Sequence, residues 1–259
     1  MNNVFGSWGR EKLLFTRKEI LPFPKPQPFS RKAGCLLWNI MKTQSVDKKT
    51  NLIKVLFNIL FDYYGPQKWW PCQTGLRWEI ITGAILTQNT AWTNVEKAIG
   101  NLLSADVMSP ASVLATSDDK LQKLIRPAGF FKQKCAYLKA MAAFMLERES
   151  AFEQSEDVWA LRKELLSIKG VGRETADSIL LYAFNKPIFV IDAYTRRVAE
   201  RHLHLDGTLH YDILQKIFMD ALPADTAIYK EYHALIVALC KESCHKAGCG
   251  ERCKSLLKQ

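Results

Sequence analysis

The chain has 259 residues and a formal net charge of +10, from 36 Lys and Arg against 26 Asp and Glu. That length buries a sizeable core in one large or two small domains, so scaffold size places no limit on function. No apolar run is long enough to cross a bilayer and the amino terminus lacks a secretory signal, so a cytoplasmic chain without a membrane partner is expected, its basic excess favouring a polyanion.

Half of the net charge lies in residues 1–40, where seven basic residues face only Glu11 and Glu19. The alternating prolines of "LPFPKPQPF" (21–29) exclude helix and favour an extended segment, so residues 1–45 read as a flexible, basic, Pro-rich extension. Met41 leaves two origins open for it, a native extension or translation from an upstream start. Beyond it the apolar spacing predicts helices over 48–63, 76–86, 91–104, 110–115, 118–125, 131–147, 157–167, 173–184, 193–203, 210–220 and 227–242. The one strand-like run, Ile188–Ile191, is short and follows Pro187, which suits a buried extended connector better than a sheet. The class is all-α.

Two stretches suggest chemistry. In "IKGVG" two glycines able to adopt positive φ, Gly170 and Gly172, join two amphipathic helices, leaving uncovered N–H groups beside a helix amino terminus. Such a turn can seat a phosphate without reading sequence, or it can simply reverse the chain. Twenty residues beyond Gly172, "PIFVIDAYTRRV" delivers Asp192 to a helix start. Asp192 has the ordinary role of N-cap open to it, and also that of a carboxylate stabilising a sugar cation and orienting water.

Together "IKGVGRETA" and "VIDAYTRRV" resemble the helix-hairpin-helix and catalytic-Asp loop of the endonuclease III superfamily of DNA glycosylases. "ITGAILTQNTAWTNVEKAI" (81–99) and "LIRPAGFFKQKCAYL" (124–138) are similar to further segments of that superfamily, and the likeness runs from about residue 50 to the end. The resemblance implies a two-lobed helical fold. One lobe would span 75–185, the other 46–74 joined to 187–259, with double-stranded damaged DNA in the cleft and the protein monomeric and nucleoid-associated. It further implies that Asp192 is catalytic, that Gly170, Val171 and Gly172 bind phosphate, and that Gln88 fills the gap left when a nucleotide is flipped out. Lys169, Arg173 and Arg196 are weaker candidates for backbone contacts, since solvated faces explain them equally well.

Members of that superfamily that also cut the backbone carry a Lys two residues after the second hairpin glycine; here the residue is Glu174. A carboxylate cannot form an imine, so a monofunctional glycosylase that leaves an abasic site is expected. A merely favourable first-turn acid is the simpler role for Glu174. "YGPQKWWP" (64–71), "TQNTAW", "VGRETAD" and "VIDAY" resemble the 3-methyladenine glycosylase branch. Trp69, Trp70, Trp92 and Glu174 would then line a pocket for cationic alkylated purines, with core packing the alternative for Trp69 and Trp70. Excision of mismatched adenine, thymine or uracil, or non-catalytic DNA binding, are the competing functions.

Seven cysteines, four of them within 240–253, suit a reducing compartment. Cys240, Cys244, Cys249 and Cys253 have the spacing C-x3-C-x4-C-x3-C, whereas the superfamily's [4Fe–4S] ligands follow C-x6-C-x2-C-x5-C. A structural cluster, a zinc ion and free thiols all remain open. No cofactor is needed for the chemistry.

Overall fold

The computed structural model describes residues 46–67 and 69–257; the expected extension over 1–45 falls outside them. The described residues form helices α1 (Val46–Tyr64), α2 (Arg77–Leu86), α3 (Trp92–Ser104), α4 (Pro110–Ala115), α5 (Asp118–Ile125) and α6 (Phe131–Gln154). They continue with α7 (Val158–Leu166), α8 (Arg173–Ser178, running into a π-turn over Ile179–Ala183), α9 (Ala193–His202), α10 (Tyr211–Ala221) and α11 (Thr226–Glu242). A two-stranded hairpin, β1 (Cys244–His245) and β2 (Gly248–Cys249), precedes α12 (Glu251–Leu257). The all-α class holds; the hairpin and α12 were not expected from the periodicity.

Caps account for boundaries that agree with the sequence. Ser109 accepts from the Ser112 N–H in a reciprocal capping box with Pro110 in the first turn, and Ser117, Asp157 and Asp225 cap α5, α7 and α11. Helix α6 runs seven residues past its expected end at 147. Its added segment is free of Gly and Pro, and Phe152 is fully buried between Phe144 and Phe184, with ring centroids at 5.5 and 5.2 Å. The expected helix 173–184 is divided by the π-turn.

Helix α1 rests on α10 and α11, α4 and α5 lie along α6, and α2 packs against α3, α6 and the π-turn. Ile188–Ile191 is a connector as expected, at most 1% exposed and in no sheet. Phe189 within it stacks on Phe218 of α10 at 4.8 Å and meets Tyr229 of α11 edge-on. A buried polar knot ties the same elements. Arg162 of α7 makes a two-pronged pair with Asp177 of α8 (2.7 and 3.1 Å), and the Gln215 amide donates to Asp177 and to the Phe189 carbonyl. Both charges in the knot are met by hydrogen bonds, which is what makes burying them tolerable.

Lys134, 2% exposed, donates from Nζ to the carbonyls of Leu86 and Ala128, each at 2.8 Å. It thereby fixes the carboxyl end of α2, from which the loop bearing Gln88 departs. Burial pushes its pKa down to about 8, and the neutral amine still has two N–H donors for the two carbonyls. Lys134→Met should therefore cost about 2–3 kcal/mol in urea unfolding, since it strands two buried acceptors while preserving most of the packing.

Candidate functional site

The turn between α7 and α8 is closed by the Val171 N–H, which donates to the Ile168 carbonyl at 3.0 Å while the Val171 side chain is buried. Gly170 has φ +86°, and a Cβ there would lie 2.3–2.5 Å from the Tyr137 ring, so glycine is demanded twice over. Gly172 differs from expectation. It is extended (φ −90°, ψ 177°), stands as the uncapped residue before α8, and its Cβ position is open space. Because the turn is already reversed at Gly170, a second positive φ is unnecessary. What Gly172 contributes is a bare surface beside the orphan N–H groups of the first turn of α8.

Gln88 lies against this turn, donating from Nε2 to the Gly170 carbonyl at 2.9 Å and to Thr175 Oγ1 at 3.0 Å. The candidate wedge and the candidate phosphate seat are thus one connected unit. Of the expected backbone-contacting cations, Lys169 is exposed on the turn. Arg173 is paired with Asp212 at 3.0 Å, and Arg196 donates to the Leu209 carbonyl at 2.7 Å.

Asp192 ends the apolar connector and caps α9, its Oδ1 accepting from the Thr195 N–H at 2.7 Å. Its other oxygen is 3.4 Å from Nε2 of His233 on α11, too long for a well-formed hydrogen bond, so the ring acts mainly through longer-range electrostatics. On the far side of the ring, Nδ1 is 2.7 Å from the Tyr182 hydroxyl. Burial and the Asp192 and Glu231 charges push the Tyr182 pKa far up, so its hydroxyl stays protonated and can donate to Nδ1, leaving Nε2–H toward Asp192. Burial alone would raise the Asp192 pKa. His233 and the hydrogen bonds to Thr195 outweigh it and hold the carboxyl below its ordinary value, so Asp192 remains anionic.

Glu174 behaves in the opposite way. Its side chain reaches solvent, yet the protein mass around it desolvates the carboxyl and the neighbouring Asp192 charge adds to this, pushing its pKa up to about 7. His233 and Arg196 offset only part of that rise. Two carboxylates within Coulombic reach are thereby driven apart, one fixed as an anion and one titrating near neutrality.

An aromatic file leads away from this pair. The Tyr182 ring is 5.9 Å from His233 and 4.9 Å from Trp70, which meets Trp92 edge-on at 5.3 Å and Trp69 at 6.2 Å. All three tryptophans are half-buried, and the Lys241 ammonium lies 5.3 Å over Trp69. Gly83 of α2 makes room for the file: a Cβ there would approach Trp92 and Trp70 at 3.3 and 3.4 Å. Trp78 of α2 is buried in the core. Tyr182 and His233 were missed by the sequence reading. Tyr182 sits in an apolar helical run, and His233 belongs to a helix whose buried face is apolar apart from Glu231; only the fold brings them to Asp192.

The cysteines depart from expectation as well. His202, at the end of α9, joins Cys244, Cys249 and Cys253 in a group of potential metal ligands whose ligand atoms all lie within 4.8 Å of one another. Cys240 is not in this group. It sits in the last turns of α11, with Sγ 3.8 Å from the Tyr194 carbonyl and in hydrogen-bonding contact with Cys244.

Two measurements test this geometry. Gly170→Ala should lower stability by about 2 kcal/mol or more, through left-handed backbone strain and the clash with Tyr137, whereas Gly172→Ala should unfold like the parent. For Glu174, the folded chain holds a proton between about pH 4.5 and 7 that the unfolded chain releases, so this residue lowers stability as pH rises through that window. Glu174→Gln should then gain on the parent from pH 4.5 to 7 and keep a constant advantage above it, as read by urea denaturation at each pH. Asp192, with its lowered pKa, contributes stability above about pH 3.8 that is lost below it, outside that window.

A family model described as HhH-GPD superfamily base excision DNA repair protein matches residues 82–224. A protein of Methanocaldococcus jannaschii provisionally named a DNA repair glycosylase is 47% identical over 211 residues, which is 80% of this chain and 95% of that protein. Endonuclease III of Thermotoga maritima is 26% identical over 122 residues, covering 47% of this chain and 54% of the enzyme. Among solved structures, the H. pylori 3-methyladenine DNA glycosylase bound to 1,N6-ethenoadenine matches with a TM-score of 0.63 and 27% identity, over 75% of this chain and 97% of that one. An endonuclease III in a non-covalent complex with DNA matches with a TM-score of 0.66 over 81% of this chain and 94% of that one; at 18% identity it speaks for the fold alone. With the family model spanning more than half of its length, the chain belongs to the HhH-GPD superfamily of base excision repair DNA glycosylases.

Proposed function

We propose that this glycosylase is monofunctional and removes positively charged alkylated purines, such as 3-methyladenine, from double-stranded DNA. The observation that carries the reading is the pairing of an anionic Asp192 with a Glu174 that titrates near neutrality, beside a file of aromatic rings. A cationic purine stacked among Trp69, Trp70 and Trp92 gains from the ring faces and draws the proton off Glu174, so the pocket becomes anionic when the charge arrives. A neutral purine offers no such gain.

The chemistry then needs little from the protein. The N-glycosidic bond breaks with its electron pair passing to the purine nitrogen, which neutralises the cationic base, and the positive charge moves to the sugar. Asp192 stabilises that charge and takes the proton of the water that adds to the sugar carbon. Thr195 and His233 hold its carboxylate in place and charged. No amine stands at the position of Glu174, so no imine forms with the sugar and the product is an intact strand with an abasic site. In this reading DNA lies in the cleft between a lobe over 75–185 and one made of 46–74 with 187–259. Gly170, Val171 and Gly172 hold a phosphate, Gln88 leaves the turn to fill the emptied stack, and Lys169, Arg173 and Arg196 lie along the backbone. The His and Cys group is a structural metal centre apart from this chemistry.

The test is release of free base from methylated duplex DNA, followed with and without hot alkali. The parent should liberate 3-methyladenine, with strand breaks appearing only after alkali. Asp192→Asn should bind the same duplex with unchanged affinity while losing at least about 10²-fold in rate. Release of adenine or thymine from mismatches in place of the alkylated base would overturn the substrate assignment. Breaks without alkali would overturn the monofunctional one.

A further inference from the structure

The ligand group at the end of α9 has dimensions that decide what it can hold. Nε2 of His202 lies 3.5 Å from Sγ of Cys244, 3.7 Å from Sγ of Cys249 and 3.4 Å from Sγ of Cys253, and the Sγ atoms of Cys244 and Cys249 are 3.8 Å apart. A tetrahedral ion about 2.3 Å from sulfur and about 2.0–2.1 Å from an imidazole nitrogen sets edges of about 3.8 Å between sulfurs and about 3.6 Å between sulfur and nitrogen. These four edges scatter closely around those values. In a [4Fe–4S] cluster each ligand binds a different iron and points outward from the cube, so the ligand atoms stand much further apart. Four atoms all within 4.8 Å of one another enclose one ion and leave no room for four irons and four sulfides. The cluster that the superfamily resemblance implied does not fit these residues.

We propose that His202, Cys244, Cys249 and Cys253 bind a single tetrahedral zinc ion. The scaffold around them is specific to that end. Cys244 and Cys249 face each other across the β1–β2 ladder, and Cys253 is fixed where its N–H meets Ser243 Oγ at 2.8 Å. Three thiolates around a dication carry one net negative charge, and Arg201 supplies the counter-charge, with NH1 3.7 Å from Cys244 Sγ. Its guanidinium also spans the hairpin turn, donating to the carbonyls of His245 at 2.6 Å and Lys246 at 2.9 Å. His202 is buried and rigid on α9, and an imidazole as one ligand among thiolates, with no open position, is the pattern of a structural zinc site. Cys240, which cysteine spacing alone would enlist, borders the group through its contact with Cys244 but is not one of the four mutually close ligand atoms.

The test uses the full chain and does not depend on the glycosylase assignment. Metal and acid-labile sulfide analysis of purified protein should give roughly one zinc per chain, no sulfide and no visible iron–sulfur absorbance. X-ray absorption at the zinc edge should fit three sulfurs and one nitrogen. Cys240→Ala should keep full zinc occupancy, and His202→Ala should weaken zinc by more than the about 10–100-fold that loss of an outer-shell partner costs. Iron with sulfide would overturn the proposal, as would a chain that takes up no zinc after anaerobic reconstitution. A four-sulfur fit with occupancy lost in Cys240→Ala would overturn the ligand set; the absorption spectrum decides this even if His202→Ala does not fold.

Discussion

The site depends on keeping one carboxylate charged where little water reaches it. Asp192 is 14% exposed, and a carboxyl in that position would ordinarily take up a proton. The fold opposes this from two directions. The first turn of α9 supplies an N–H and the positive end of the helix dipole, and α11 supplies an imidazole whose orientation is held from behind by Tyr182. The hairpin, the connector and the aromatic file all sit where they do relative to that one charge.

This constraint also explains why Glu174 is unlike its neighbour. Two carboxylates cannot both ionise cheaply in one recess, and the one with fewer donors gives way. Glu174 lies in the first turn of a short helix, where the dipole would normally favour its charge, and still its pKa rises. The field of Asp192 and the loss of water outweigh the helix end.

Much of the fold was legible in the sequence because its boundaries are written in caps. Ser109, Ser117, Asp157, Asp192 and Asp225 all stand immediately before helices, and the apolar spacing behind them gives the buried face. The connector Ile188–Ile191 and the turn at Gly170 were equally plain. The remainder was not, for identifiable reasons. Nothing in a run of apolar residues distinguishes a π-turn from an α-turn. Gly172 looks like Gly170 until the backbone shows that only one of them is left-handed. Cysteine spacing suggested Cys240 as the fourth ligand, because His202 stands 42 residues before Cys244 and only the packing of α9 on α11 closes that distance. Likewise Tyr182 and His233 carry no local mark of their role.

The π-turn over Ile179–Ala183 has a consequence for how this site tolerates change in length. A π-turn holds one more residue per hydrogen-bonded loop than an α-turn, so it shifts the phase of the residues within it relative to a regular α-helix. Tyr182 stands inside that turn and faces both Trp70 and His233. Deleting one residue from the turn would restore a regular α-helix and rotate the tyrosine by about 100° away from both rings. The segment can therefore exchange side chains of similar size more readily than it can lose a single position, and the spacing between the hairpin and the connector is as much a part of the site as the residues within it.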